Sequence, residues 1–252
     1  MSAEKELNRK ATDPEAATGD KAVKATSTRV ELKTELQGMY DEMMDRLTLY
    51  FTGDKFRGDV AAAKKEFFDE AGVMDEENQA FEMRMTQFLE WYLFTRPLSG
   101  VGMTPAQYAL QIPEFEMKPG ECPAFENLAN TQHGLFEFLK VRGDDIHIKD
   151  LFNNKKIVIY NSPIRIGFSR EEIFDARLIS DGENYHFSRG FCFHPSEASK
   201  YILSETKRLS KAGEPLGLEA FMLRLMKMRY KYEQYRHLKL EYIYTNEKKV
   251  KF

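Results

Sequence analysis

Residues 134–160 read GLFEFLKVRGDDIHIKDLFNNKKIVIY, and here the apolar spacing changes from three or four residues to every second residue. Phe136 and Phe138 flank Glu137, while Ile146 and Ile148 alternate with His147 and Lys149, the pattern of strands that bury one face. Gly143-Asp144-Asp145 and Asn153-Asn154 supply turn residues between the runs. IVIY (157–160) is dense in β-branched side chains and reads as a buried strand. Farther along, Ile164, Ile166 and Phe168 lead to Ser169, which forms a capping-box pattern with Glu172. FDARLI (174–179) and YHFSRGFCF (185–193) then flank Ser180-Asp181-Gly182-Glu183, a hairpin loop. The stretch 132–195 therefore predicts a small antiparallel β-domain, a sheet or a barrel of the SH3-like or OB-like kind, since closure removes exposed edges.

Helical patterns stand on both sides, which makes the expected class α+β. Upstream, Leu32, Leu36, Met39, Tyr40, Met43, Met44, Leu47 and Tyr50 recur at helical spacing. Asp54 or Asp59 can cap a second helix that carries Phe67 and Phe68 and stops at Gly72. A third runs from Asp75 through Phe81, Met85, Phe88 and Tyr92 to Pro97. Thr104-Pro105 opens a short helix to Gln111, and another spans Cys122 to Asn130. Residues 29–131 thus form a helical region that packs as a bundle. Downstream, a helix from Ser196 to Ala212 ends at Gly213, and a longer one runs from Leu216 to Tyr244, with Lys239 interrupting its apolar seam. This C-terminal region, 196–252, is expected to pack back on the rest. Residues 1–28 hold few large apolar side chains and read as a disordered tail.

Composition bounds the function. Of 252 residues, 42% are hydrophobic and 31% charged, the profile of a soluble globular chain. No apolar run reaches the roughly 20 residues that span a bilayer, and the first residues lack a signal-peptide core, so the expected setting is cytoplasmic, with no membrane partner. The net charge of −3 conceals an asymmetry: residues 196–252 carry thirteen Lys and Arg against seven Glu, a balance of +6, which leaves −9 on residues 1–195. Only the C-terminal region can attract a polyanion. Cys122 and Cys192 have no paired spacing and are expected as reduced, buried thiols.

Motif searches exclude more than they assign. There is no GxSxG elbow, phosphate loop or dinucleotide fingerprint, and Gly100-Val101-Gly102 lacks the context that would make it one. Cys192-x-His194 is the one close Cys/His pair, and a structural zinc site needs two. Paired acids at 76–77, 144–145 and 171–172 sit where turns and helix starts favour negative charge. No catalytic residue, metal site or cofactor is therefore expected. The best binding candidate is the basic, tyrosine-laced helix holding Arg224, Lys227, Arg229, Lys231, Tyr232, Tyr235, Arg236 and Lys239. Its cations suit phosphates and its tyrosines suit stacking on bases. The same pattern also describes a solvated helix face with Lys and Arg stems lying over apolar neighbours. The aromatics of the β-domain are first a core, and only second a binding platform.

Glu90-Trp91-Tyr92-Leu93-Phe94, Gly102-Met103-Thr104-Pro105, Gly134-Leu135-Phe136-Glu137-Phe138, Ile148-Lys149-Asp150-Leu151-Phe152 and Asp175-Ala176-Arg177-Leu178 together resemble a loose group of uncharacterised bacterial proteins. In that group an acidic-Trp-aromatic helix precedes a small β-domain. The resemblance covers roughly residues 80–200. Some related proteins carry a Cys-rich SEC-C zinc motif, which this chain lacks. The resemblance implies the β-domain and a bacterial cytosolic setting, but no activity. The expected function is a non-enzymatic interaction or regulatory protein that binds a protein partner or a second copy of itself. The alternatives are nucleic-acid binding through the basic helix and the barrel face, or an enzyme with an unrecognised site.

Overall fold

The computed structural model describes residues 16–73, 76–77, 80–164, 172–213 and 215–247, with side chains from Thr34 onward except at 215–216. Helices α1 (Ala16–Phe51), α2 (Arg57–Ala71), α3 (Phe81–Phe94), α4 (Pro105–Ala109) and α5 (Cys122–Ala129) precede the sheet. Strands β1 (Gln132–Arg142), β2 (Asp145–Asp150), β3 (Lys155–Ile159), β4 (Ile173–Ser180), β5 (Tyr185–Phe187) and β6 (Cys192–Phe193) follow, and α6 (Ser199–Ala212) and α7 (Pro215–Gln234) close the chain. The class is α+β. The antiparallel sheet has the order β3-β2-β1-β4-β5, with β6 pairing β4, and it curls into a half-barrel.

Local signals account for several boundaries. Gly72 ends α2 at φ +86°, where a side chain would be strained. Thr104 and Gln107 form a reciprocal capping box at the start of α4. Other expectations shift. α1 begins at Ala16, inside the stretch read as a tail. Ala- and Lys-rich sequence extends a helix at low cost once the amphipathic part has nucleated it. The third helix starts at Phe81, and Asp75 lies outside the described residues. The run 185–193 is two strands, because Ser188, Arg189 and Gly190 turn aside to donate to Glu90. The last helix stops at Gln234 rather than Tyr244. The chain bends there so that Ile243 and Tyr244 can be buried against α6 and α7. Ile166, Phe168 and Ser169 lie outside the described residues.

Three apolar clusters share the half-barrel. Phe136, Phe138, Ile146, Ile148, Phe174, Ala176, Leu178 and Phe187 fill one face of the sheet. On the other face, Leu135 and Ile173 meet Ile202, Phe221 and Leu225 of α6 and α7. Ile179, farther along β4, joins the N-terminal helical core with Tyr40, Leu47, Phe88 and Leu223. β4 alternates between these demands: Phe174, Ala176 and Leu178 face the first cluster, while Ile173, Asp175, Arg177 and Ile179 face the helices. Two charged residues of β4 are thereby buried at the junction of the helical layers. Among the described residues no helix is long and apolar enough to cross a membrane.

A candidate binding cleft beside a buried charge node

Helix α3 has a polar row, Arg84, Gln87 and Glu90, at three-residue spacing, and all three are buried because β4, β6, the 188–190 loop and α7 cover that side. Glu90 accepts hydrogen bonds from Ser188 Oγ (2.8 Å), Arg189 N (2.9 Å) and Gly190 N (2.9 Å). Burial pushes its carboxyl up, against the opposing pull of the Arg177 guanidinium and these three donors. Arg177 is buried, donates to Thr95 Oγ1 and lies 5.7 Å above the Phe94 ring. Opposite it across the β1–β4 ladder stands His133. The two nitrogens of His133 face different carboxylates: Nε2 is 2.9 Å from Asp175 Oδ1, and Nδ1 is 2.9 Å from Glu219 Oε2. Burial opposes the imidazolium, yet Asp175 and Glu219 raise its pKa to about 9. In return, the His133 charge holds Glu219 below the usual carboxylate range, although burial acts the other way.

Gly190 is fixed by this node. A Cβ there would lie 2.8 Å from Glu90 Oε2 and 3.1 Å from its Cδ, and Glu90 is pinned by its three donors. Gly190→Ala should therefore lower stability by roughly 1–3 kcal/mol, the usual range for overpacking, as read by urea unfolding. An unchanged midpoint would show that the carboxylate can move.

Beside the node lies a chamber of about 10 Å³, lined among others by Gln87, Glu90, Trp91, His133 and Asp175. Gln87 Oε1, Trp91 Nε1 and Asp175 Oδ2 are buried there without a hydrogen-bond partner among the described residues. Gln87 also lines a larger cleft of about 160 Å³ between α3, α7 and β6. Its walls are Met83, Phe191 and Phe193, and its charged groups are Arg84, Arg229 and Glu233. Arg229 and Glu233 pair at 2.9 Å. Arg84 has no carboxylate at ion-pair distance among the described residues. Its Nη2 donates to the carbonyls of Ala71 (2.5 Å) and Gly72 (3.1 Å), its Cζ lies 5.7 Å from the centroid of the Tyr230 ring, and its Nε has no hydrogen-bond partner among the described residues. Burial lowers its pKa, but a guanidinium stays charged at neutral pH.

Burial first of all pushes the thiol of Cys192, on the cleft wall, up to about 12, which disfavours the thiolate. Cys122 is exposed rather than buried, and both thiols are free. His194 is held neutral, with burial and then Arg229 lowering its pKa to about 3, and its Nδ1 lies 3.2 Å from Tyr244 Oη. Among the described residues no group of three or more His, Cys, Asp or Glu is arranged to hold a metal ion.

Residues from separate sequence runs thus meet at one place: Glu90-Trp91, His133, Asp175 with Arg177, and Gly190. A model for a family of unknown function, DUF7986, matches residues 40–215. The chain belongs to this family. No curated protein and no solved structure matches it. In this DUF7986 chain the matched segment holds every node residue except Glu219, which α7 contributes just beyond it.

The basic helix residues face several neighbours. Arg224 lies over the Phe221 ring, 3.9 Å from the Glu205 carboxylate. Lys227 Nζ donates to Asp69 O at 2.6 Å, which ties α7 to α2. Arg229 Nε donates to Phe193 O at 2.7 Å. Lys231 is half-buried, and burial, then Lys227, lowers its pKa. Tyr232 and Tyr235 pack against the α6–α7 core. Arg236 and Lys239 are exposed beyond the end of α7. Of the eight, only Arg229 lines the cleft. Arg84, Glu90, His133, Asp175 and Arg177 did not stand out as site residues by sequence alone. Glu90, Asp175 and Arg177 do fall in motifs that carry the resemblance, and with Arg84 they are charges interrupting the apolar runs FEMRMTQFLEWYLF and FDARLI.

Proposed function

We propose that the protein is a non-enzymatic interaction or regulatory protein whose recognition element is the α3–α7–β6 cleft, and that this cleft receives a carboxylate. The observation that carries this reading is Arg84, a buried guanidinium with no paired carboxylate among the described residues, at the base of an opening. Buried charges are ordinarily paired, because desolvation is costly. The carboxylates that act on Arg84 at longer range, Glu233 and Asp175, are held by Arg229 and His133. An incoming carboxylate supplies the missing partner and gains a charge-assisted hydrogen bond, while Met83, Phe191 and Phe193 take an apolar stem. The cleft is smaller than the roughly 300–1,000 Å³ of drug-sized sites, so it suits a short acid or the acidic side chain of a protein partner. A bacterial cytoplasmic setting is part of this proposal, and the motif resemblance supports it.

Trp91, the single tryptophan of the chain, lines the adjoining chamber and gives a local fluorescence signal. Propanoate is expected to change its emission saturably, whereas neutral propanamide does not, and Arg84→Gln is expected to abolish the response. Arg229→Gln should weaken it. A capped glutamate peptide that binds much more tightly than propanoate would assign the carboxylate to a protein partner, and equal affinities would assign it to a small acid. Equal responses to propanoate and propanamide, or no response to propanoate and peptide alike, would overturn the proposal.

A further inference from the structure

A second opening of about 510 Å³ lies between the β2–β3 turn and α6, with Lys149, Lys207 and Lys211 on its rim and Leu151, Phe152 and Leu203 among its apolar lining. Its charges are arranged against stability. Lys149 and Lys156 are directly opposed across the β2–β3 ladder, and Lys207 and Lys211 are four residues apart on α6. Like charges at either spacing repel. Lys211 has a local explanation, since it compensates the C-terminal dipole of α6, but the other three do not.

Among the described residues the nearby acids do not neutralise them. Asp150 is 1% exposed and is saturated by Phe152 N (2.9 Å), Asn153 N (3.1 Å), Asn153 Nδ2 (2.7 Å) and Gln132 Nε2 (2.9 Å). Glu205 of α6 is taken by Arg208 at 2.9 Å. Glu137 stands across the β1–β2 ladder from Lys149, one carboxylate against four ammonium groups. Among the described residues none of the four lysines has an ion pair.

We infer that this groove binds a phosphorylated ligand with a planar or apolar body, of the nucleotide class. Several ammonium groups around one opening match a polyvalent anion better than a single carboxylate, and lysine is an effective point charge for phosphate. The exposed Leu203 and the half-buried Phe152 offer a surface for the body of the ligand. The opening falls within the size range of small-molecule sites, about 300–1,000 Å³. The phosphates could belong to a free nucleotide or to a single strand of nucleic acid.

Titration of the full chain with ATP, adenosine and a short single-stranded RNA separates these sources. ATP or RNA is expected to bind with an affinity that falls as salt rises, adenosine not at all. Binding should weaken at least tenfold in Lys207→Glu/Lys211→Glu, two exposed positions whose change leaves the core intact. Lys149→Gln should weaken it by less. Arg84→Gln should bind as the unaltered chain does, which separates this groove from the cleft. Stronger binding of RNA than of ATP assigns the phosphates to a strand, and the reverse assigns them to a nucleotide. Absence of binding by both at low salt, or binding indifferent to the charge reversal, would overturn the inference.

Discussion

Glu90→Ala is expected to destabilise the protein by about 3–5 kcal/mol, the range for removing one partner of a buried charge pair. The expectation follows from what the carboxylate does in the fold. It is 6% exposed and holds three donors from one loop, Ser188 Oγ, Arg189 N and Gly190 N. After Glu219, and with Asp175, it also supplies part of the negative field that offsets the burial of Arg177 behind β4. Truncation leaves the three donors unsatisfied and weakens the field at Arg177, and orphaned buried groups cost roughly 1–3 kcal/mol each when uncharged. Glu90→Gln separates the two roles. Its amide oxygen can still accept from Arg189 N and Gly190 N, and its amide nitrogen can donate to Ser188 Oγ, so only the charge is lost. Urea unfolding of both variants should place Glu90→Gln between the unaltered chain and Glu90→Ala. If Glu90→Ala lay within 1 kcal/mol of the unaltered protein, on the order of an ordinary surface change, the node would not be holding the fold together.

The loop that Glu90 secures separates β5 from β6, and β6 forms one wall of the cleft. The node and the cleft are therefore mechanically one unit: the charges behind β4 fix the position of Phe191 and Phe193, against which a ligand stem would lie. Gln87 links them directly, since its Nε2 donates to Phe191 O at 2.5 Å while its Oε1 has no partner among the described residues.

How much of this was legible in the sequence depends on the range of the interaction. The alternation of Ile146 with His147 and of Ile148 with Lys149 is local and produces β2 directly. The same holds for the N-cap at Thr104 and the stop at Gly72. The half-barrel was legible as a sheet, but its incomplete closure was not, because α6 and α7 cover the face that contains Leu135 and Ile173, and no short window records that docking. The node was hidden for the same reason. Asp175 and Arg177 share a strand face with Ile173 and Ile179, which is itself a sign of buried charge, but the partners, Glu90, His133 and Glu219, come from three other elements. The basic helix shows the same range effect: Lys227 and Arg229 look free in sequence, yet each donates to a carbonyl of a packed neighbour.

Raising the pH from 6.5 to 9 is expected to cost the protein stability on the order of 3 kcal/mol, through His133. The folded-state pKa is raised, from 6.5 to about 9, so the folded protein binds more protons than the unfolded chain across this window. Stability then falls as pH rises: the contribution is complete below 6.5 and is lost as pH passes through about 9. At about 1.4 kcal/mol per pKa unit the shift is worth roughly 3 kcal/mol. The groups that face the imidazole are Asp175 and Arg177 on β4 and Glu219 on α7, with Glu90 of α3 acting on Arg177. Cys192 titrates above this window, its thiol being pushed up to about 12. Unfolding free energies at several pH values should show the slope in the unaltered chain, and His133→Gln should lack it. Comparing the two slopes removes the contribution of Glu90, whose raised pKa acts in the same direction. Glu219→Gln should move the fall to lower pH, because one of the two carboxylates that sustain the imidazolium is gone. A slope that survives in His133→Gln would place the titrating group elsewhere. The same proton also sets the charge beside the cleft. Once His133 is neutral, the charge of Asp175 is no longer offset and weighs on Arg84, so carboxylate binding should weaken over the pH range in which stability falls.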